Sequence, residues 1–249
     1  MKELRENCAY FKANGFETGA WVWTFWLENN KSFTNMRSLN GTEITEFMCP
    51  LDKSFVEFAA GYIRDIAETG VDIIQFDDDF RYGFLSDSPA CLCDRHIAEI
   101  CRLTGEQLTR EEIQKHILTG GKNKYRDAYL KANGDALRAF AAEMRRAVNQ
   151  VNPEIRLGAC ACLTAWDIDG TDAAELLGIL AGKTRPFARL IGVPYWAAKG
   201  EWGSKLQDVI ELERMESSWT ESENIELFAE GGFLPKTENP MPRKLFRGV

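Results

Sequence analysis

Residues 70–82, GVDIIQFDDDFRY, place an apolar run directly before three consecutive aspartates. The run has the β-branched and aromatic content of a buried strand, and α/β enzymes place their ligands at the carboxyl ends of parallel strands. Adjacent carboxylates repel each other, so a row of three needs a cationic, hydroxylated or protonated neighbour. The stretch therefore predicts a strand with a functional acidic tip. The simpler alternative is that one or two of these acids cap the next helix or pair with Arg81.

Strand pleating distinguishes the three aspartates. Side chains alternate along a strand, so Asp77 and Asp79 share one face and Asp78 lies on the other. If the apolar face packs against helices, Asp77 and Asp79 face the inside of a barrel or the mouth of a sheet. We predict these two as catalytic carboxyls, with Asp78 and Arg81 in supporting contacts to the substrate.

Helix-like and strand-like segments alternate along the rest of the chain. Helical spacing predicts helices at 3–14, 54–67, 95–151 (with a break at 119–123), 171–181 and 205–218. Strands are predicted at 20–26, before Asp77, at 154–162, 187–196 and 224–230, and residues 27–50 are predicted as a polar loop. Alternation of this kind implies parallel crossovers and an α/β fold, a (β/α)8 TIM-type barrel.

Five of the eight strands of a complete barrel are visible in this pattern. We therefore expect residues 1–249 to form a single partial-barrel domain, or a piece of a longer protein. A doubly wound open sheet is the alternative, and it is disfavoured because no G-x-G-x-x-G follows the first strand.

A second acidic tip closes the last predicted strand. Glu230 stands at its carboxyl end, before a glycine pair, and is the candidate second catalytic carboxyl. The alternative is an ordinary solvated loop acid. Glu226, inside the same strand, is predicted to be a structural partner of Arg156 or Arg189.

Aromatic residues gather near the predicted strand ends. Their apolar faces suit a floor on which sugar rings stack, although core packing is the better explanation for any one of the tryptophans alone. The candidates are Trp23, Trp26, Tyr195, Trp196 and Trp202.

The composition of the chain limits the classes of binding partner. The chain has 249 residues, 45% of them hydrophobic, which is enough for a globular core. Its formal charge of −8 argues against nucleic acid or an anionic membrane as the main partner. No apolar run approaches the roughly 18 residues that span a bilayer. We expect a soluble, cytoplasmic chain that acts on a neutral small molecule without a cofactor; the oligomeric state stays open.

Seven cysteines do not form a disulfide framework, and we interpret most of them as reduced packing thiols. Cys91, Cys93, His96 and Cys101 lie within eleven positions, in the spacing C-x-C-x2-H-x4-C. The ligand types suit a structural zinc, but the spacing matches no standard zinc finger.

Four short motifs carry a family resemblance: WVWTF at 21–25, FDDDFR at 76–81, PYW at 194–196 and FAEG at 228–231. Over residues 15–235 the chain resembles the barrel domain of (β/α)8 glycoside hydrolases, especially uncharacterised relatives of the β-galactosidase-like enzymes. The resemblance implies hydrolysis of a carbohydrate by two carboxyls, a general acid and a nucleophile or base. Asp77 or Asp79 would take one role and Glu230 the other, with Tyr195 and Trp196 at the substrate.

Two further hypotheses stay open. One is a non-catalytic carbohydrate-binding or degenerate barrel domain. The other is a magnesium- or manganese-dependent enzyme that uses Asp77, Asp78 and Asp79 as oxygen ligands.

Overall fold

A computed structural model describes residues 1–28, 32–82, 89–119, 121–160, 169–190, 211, 214 and 218–229. The helices are α1 (Lys2–Ala13), α2 (Lys53–Ala67), α3 (Asp94–Thr104), α4 (Arg110–Leu118), α5 (Lys124–Asn149) and α6 (Ala173–Ala181). The strands are β1 (Gly19–Val22), β2 (Asn35–Arg37), β3 (Glu43–Met48), β4 (Ile73–Phe76), β5 (Arg156–Cys160), β6 (Phe187–Leu190) and β7 (Glu226–Ala229).

Within the described residues, the main sheet contains five parallel strands in the order β1-β4-β5-β6-β7. Each strand is added on the same side of the one before it, as in a barrel, whereas a doubly wound sheet reverses its direction of growth. The prediction of a partial (β/α) barrel with five visible strands is therefore confirmed. The doubly wound alternative is wrong.

One face of this sheet packs on the helices. Ile74 and Phe76 of β4 are fully buried in a core that also contains Phe55 of α2 and Phe140 of α5. The predicted helix at 54–67 is confirmed, and Asp52 caps it by accepting the Ser54 N–H. Because side chains alternate, the intervening residues of β4 face the opposite side, which we call the inner face.

Residues 27–50 are not a simple loop, and that prediction is wrong. β2 and β3 form an antiparallel hairpin with a register shift between Asn35 and Met36, and its turn contains Gly41 at a φ of +85°. The strands are short and their apolar alternation is weak. Burial of Met36 and Met48 under the rest of the fold favours the extended conformation, and these contacts are invisible to a local pattern.

The predicted helical stretch at 95–151 is divided into α3, α4 and α5. A capping box is present at the start of α4, where the side chains of Thr109 and Glu112 each bond to the other's backbone N–H. The predicted break precedes α5, whose N-cap Asn123 accepts two N–H bonds. No helix in the described part of the chain is both long and apolar enough to cross a bilayer.

The backbone of α5 at Gly134 lies very close to the backbone of Gly170. A methyl group at this position of α5 would lie 1.9 Å from the carbonyl oxygen of Gly170, so Gly134→Ala forces the two segments apart. We expect the variant to lose about 1–3 kcal/mol of unfolding free energy, measured by urea denaturation followed by circular dichroism. Gly178→Ala in α6 is the control: nothing lies within 4 Å of its added methyl, so helix propensity should leave stability equal or up to about 1 kcal/mol higher. Equal losses in both variants would contradict this packing.

Candidate active site at the carboxyl end of the sheet

The inner face of the sheet brings polar side chains together near its carboxyl edge. Parallel register sets Trp21 of β1 beside Gln75 of β4, and Cys160 of β5 beside Arg189 of β6. Asp77 directly follows β4 at this edge. Side chains from β1, β5 and β6 thus converge on the end of β4.

Asp77 and Arg189 form a buried ion pair. The Arg189 guanidinium lies 3.3 Å from Oδ1 of Asp77, and the two residues are only 9% and 5% exposed. The same guanidinium lies 3.4 Å from Sγ of Cys160 and 4.4 Å from the centre of the Trp21 ring, a cation–π contact. The positive charge of Arg189 therefore compensates the carboxylate of Asp77 and fixes its orientation.

Asp78 occupies a different environment one residue further along. Its backbone N–H donates to Oδ1 of Asp77 at 2.9 Å, while its side chain is half-buried. Burial raises the pKa of the Asp78 carboxyl, the negative charge of Asp77 raises it further, and Arg81 works in the opposite direction. The two neighbouring acids are thus an arginine-paired carboxylate and a carboxyl that holds its proton more tightly than usual.

Asp79 binds backbone N–H groups of the segment that follows β1. It is fully buried, and it accepts the N–H groups of Thr24, Phe25 and Trp26 at 2.7–2.9 Å. The alternation that predicted a shared face with Asp77 stops at Phe76, where β4 ends, and Asp79 is directed instead at the segment after β1. Burial raises its pKa, and the three N–H donors oppose this shift. Three buried N–H donors use most of the acceptor capacity of the carboxylate, so the residue is occupied in holding this segment.

Two other predicted substrate-binding residues, Arg81 and Trp23, lie in the described part of the chain. Arg81 is half-buried, and its charge acts on Asp78 as described. Trp23 is 60% exposed; its ring is 5.9 Å from that of Trp26, and both line an apolar cavity of about 230 Å³ beside Phe58 and Tyr62 of α2. Trp23 therefore borders the helix side of the sheet.

The predicted residues of the later strand ends fall outside the described part of the chain. They are Glu230, Tyr195, Trp196 and Trp202. Within β7, Glu226 pairs with Arg156 at 2.6 Å, so its predicted structural role is confirmed.

Sequence reasoning missed two residues of this site, Trp21 and Arg189. Both have a signal in the sequence. An arginine inside an otherwise apolar predicted strand needs a buried anion, and Asp77 was the nearest predicted candidate on the inner face. Trp21 and Trp23 are two positions apart, so strand alternation alone would place both on the same face. Because β1 ends at Val22, only Trp21 lies within the strand and on the inner face.

Side chains suited to a metal lie elsewhere in the described residues, between β3 and α3: Cys49, Cys91, Cys93 and His96. Cys101 is not among them, because its Sγ accepts the N–H of Leu108 at 3.3 Å. A magnesium site on three consecutive aspartates is disfavoured, since the oxygens of Asp79 are already committed to N–H groups.

Comparisons with known proteins agree with the barrel architecture. No family model and no curated protein matches the chain. Among solved structures, the catalytic domain of β-amylase from Paenibacillus polymyxa aligns with a TM-score of 0.54 and 11% identity over 94% of this chain and 74% of that one. A variant of the glycoside hydrolase domain of PelA from Pseudomonas aeruginosa aligns with a TM-score of 0.40 and 11% identity over 90% of this chain and 82% of that one. The likeness to the β-amylase catalytic domain shows that the two chains share a fold.

Proposed function

We propose that this chain is a glycoside hydrolase whose acidic segment after β4 cleaves a glycosidic bond. The observation that carries the proposal is a pair of adjacent carboxyls at the carboxyl end of a barrel strand: Asp77 is paired with a buried arginine, and Asp78 holds its proton more tightly than usual. Glycosidic cleavage needs one protonated carboxyl at the leaving oxygen and one carboxylate near the anomeric carbon. Environments that separate the affinities of two acids for protons are how proteins assign these roles.

Asp78 is the proposed general acid, because it holds a proton more tightly than usual and is still partly open to solvent. Asp77, fixed by Arg189, is the proposed carboxylate that stabilises the positive charge developing on the sugar ring. Glu230, predicted at the end of β7, is the other candidate for this second role. Asp79 leaves the catalytic set that the sequence predicted and holds the segment after β1.

Trp21 is the proposed sugar platform. The residue is 58% exposed, and its ring lies against Arg189 at the inner-face end of β1. An exposed indole beside buried charges offers an apolar face to the C–H groups of a sugar and leaves its hydroxyls to polar partners. The resemblance to β-galactosidase-like enzymes makes β-galactosides the first substrates to test.

Hydrolysis assays test the proposal directly. The purified chain is incubated with aryl α- and β-glycosides of common hexoses and with unmodified oligosaccharides, and released phenol and reducing sugar are measured. We expect turnover by the wild type and none above background by the double variant Asp77→Asn/Asp78→Asn. Turnover that persists in the double variant would show that these carboxyls are not the catalysts.

The alternative of a non-catalytic carbohydrate-binding domain predicts a different pattern. Sugars would then quench tryptophan fluorescence in the wild type without any turnover across the panel. Trp21→Ala should weaken this binding, whereas Trp23→Ala, on the helix-side cavity, should not. Binding without hydrolysis would replace the hydrolase proposal with this one.

A further inference from the structure

Four buried side chains with metal-binding atoms meet between the β2–β3 hairpin and α3. Cys49 follows β3, Cys91 and Cys93 precede α3, and His96 lies in the first turn of α3. Each of the four is at most 3% exposed, and their ligand atoms all lie within 4.8 Å of one another. The cluster is separate from the acidic segment proposed to act on sugars.

The spacing of these atoms fits a tetrahedral site. Sγ of Cys49 is 3.5 Å from Sγ of Cys93, and Nδ1 of His96 is 3.4 Å from each of these sulfurs. With Zn–S bonds of about 2.3 Å and Zn–N bonds of about 2.0–2.1 Å, a tetrahedron has S···S edges of about 3.8 Å and S···N edges of about 3.5 Å. One ion can therefore bind with small movements of the side chains.

Backbone donors surround the sulfurs. The N–H of Leu51 points at Sγ of Cys49 at 3.4 Å, and the N–H groups of Arg37 and Cys93 point at Sγ of Cys91 at 3.5 and 3.4 Å. Such donors stabilise the thiolate, which is the form that binds metals.

The histidine is oriented as a metal ligand. Its Nε2 lies 3.1 Å from the hydroxyl of Tyr82, a fully buried residue, so Nδ1 is turned toward the sulfurs. A hydrogen bond at the far nitrogen is the usual device that fixes the tautomer and the ring orientation of a metal-binding histidine.

We propose that Cys49, Cys91, Cys93 and His96 bind one structural zinc ion. Three thiolates and an imidazole are a common zinc set, and they are poor ligands for magnesium or calcium, which prefer oxygen. Four protein ligands in a buried tetrahedron leave no position for water or substrate, so the ion is structural rather than catalytic. It joins the hairpin to α3 and, through His96, supports Tyr82, three residues after Asp79.

Metal analysis tests the proposal without any assay of activity. The full chain is purified under reducing, oxygen-free conditions from zinc-supplemented medium, and zinc, copper and iron are measured by mass spectrometry. We expect about one zinc per chain. A strong chelator should lower the thermal unfolding midpoint of the wild type, and added zinc should restore it, because binding of a structural metal is coupled to folding.

Variants assign the ligands. Cys93→Ser should lose the zinc, whereas Cys101→Ser, a change at another buried cysteine of the same region, should keep it. Tyr82→Phe keeps all four ligands but removes the hydroxyl at Nε2, and should weaken zinc affinity by about 10–100-fold in competition with a chelating dye. His96→Cys should keep the metal and, after cobalt substitution, show a stronger thiolate-to-metal charge-transfer band, since a fourth thiolate replaces the imidazole.

The outcomes separate cleanly. A wild-type chain without zinc, equal zinc in Cys93→Ser and Cys101→Ser, or a disulfide between Cys49 and Cys93 that persists through purification under reducing conditions would each overturn the site. If Cys93→Ser does not fold, the wild-type stoichiometry and the cobalt spectrum of His96→Cys decide the question.

Discussion

Asp78→Asn is expected to lower kcat on unmodified oligosaccharides by about 10²–10⁴-fold, the typical contribution of a general acid. The amide cannot donate a proton to the departing sugar oxygen, which is a poor leaving group. Aryl glycosides with strongly acidic phenols need little protonation, so the variant should retain much of the wild-type rate on them. The ratio of the two rates, measured for wild type and variant with matched glycosides, reports the role of Asp78 separately from any general loss of activity.

The pH profile gives an independent check of the same role. A general acid works only while protonated, so the rate on oligosaccharides should fall as pH rises through the pKa of Asp78, which burial and Asp77 shift upward. Asp78→Asn should remove this limb of the profile. Asp77→Asn is the control, because loss of the carboxylate should slow both substrate classes. Equal losses on both classes in Asp78→Asn, with an unchanged pH profile, would assign the acid elsewhere.

The parts of the fold that depend on local patterns could be predicted from the sequence. The apolar spacing of α2 and the apolar run that forms β4 each place buried residues on one face, so the helix, the strand and their order could be predicted, although Phe58 and Tyr62 of α2 are exposed. The capping box of α4 was equally predictable, because both of its partners lie within three residues. The parallel direction of the strands follows from this alternation of helices and strands, whereas the barrel-type strand order is given by the structure.

The parts that depend on distant partners could not be predicted in the same way. Asp79 was assigned to the inner face because alternation was extended beyond the real end of β4. Its partners are the N–H groups of the segment after β1, 53–55 positions away, and no pattern in the local sequence predicts these contacts. The hairpin β2–β3 was missed for a related reason, since burial rather than periodicity makes those short strands extended.

The cysteine cluster shows the same limit. Local spacing grouped Cys101 with Cys91, Cys93 and His96, but α3 carries Cys101 away to bond with Leu108. The fourth member, Cys49, belongs to the end of the hairpin, an element that the sequence did not reveal. One ligand follows β3 and the others lie before or within the first turn of α3, so the set could be found only once the positions of both elements were known.

Asp79→Asn is expected to lower the free energy of unfolding, whereas Asp78→Asn is expected to lower the catalytic rate. Oδ2 accepts the N–H groups of Thr24, Phe25 and Trp26, and Oδ1 accepts only that of Thr24, so an asparagine with its oxygen at the Oδ2 position turns its NH2 group toward the buried Thr24 N–H. At about 1–3 kcal/mol for one buried donor that faces another donor, the loss is a substantial part of the roughly 5–15 kcal/mol that stabilises a typical domain. Urea unfolding followed by circular dichroism measures it, with Asp78→Asn as the matched control that should stay within about 0.5 kcal/mol of wild type. If Asp79→Asn is as stable as Asp78→Asn, the carboxylate does not hold this segment, and Asp79 returns to the list of candidate catalysts.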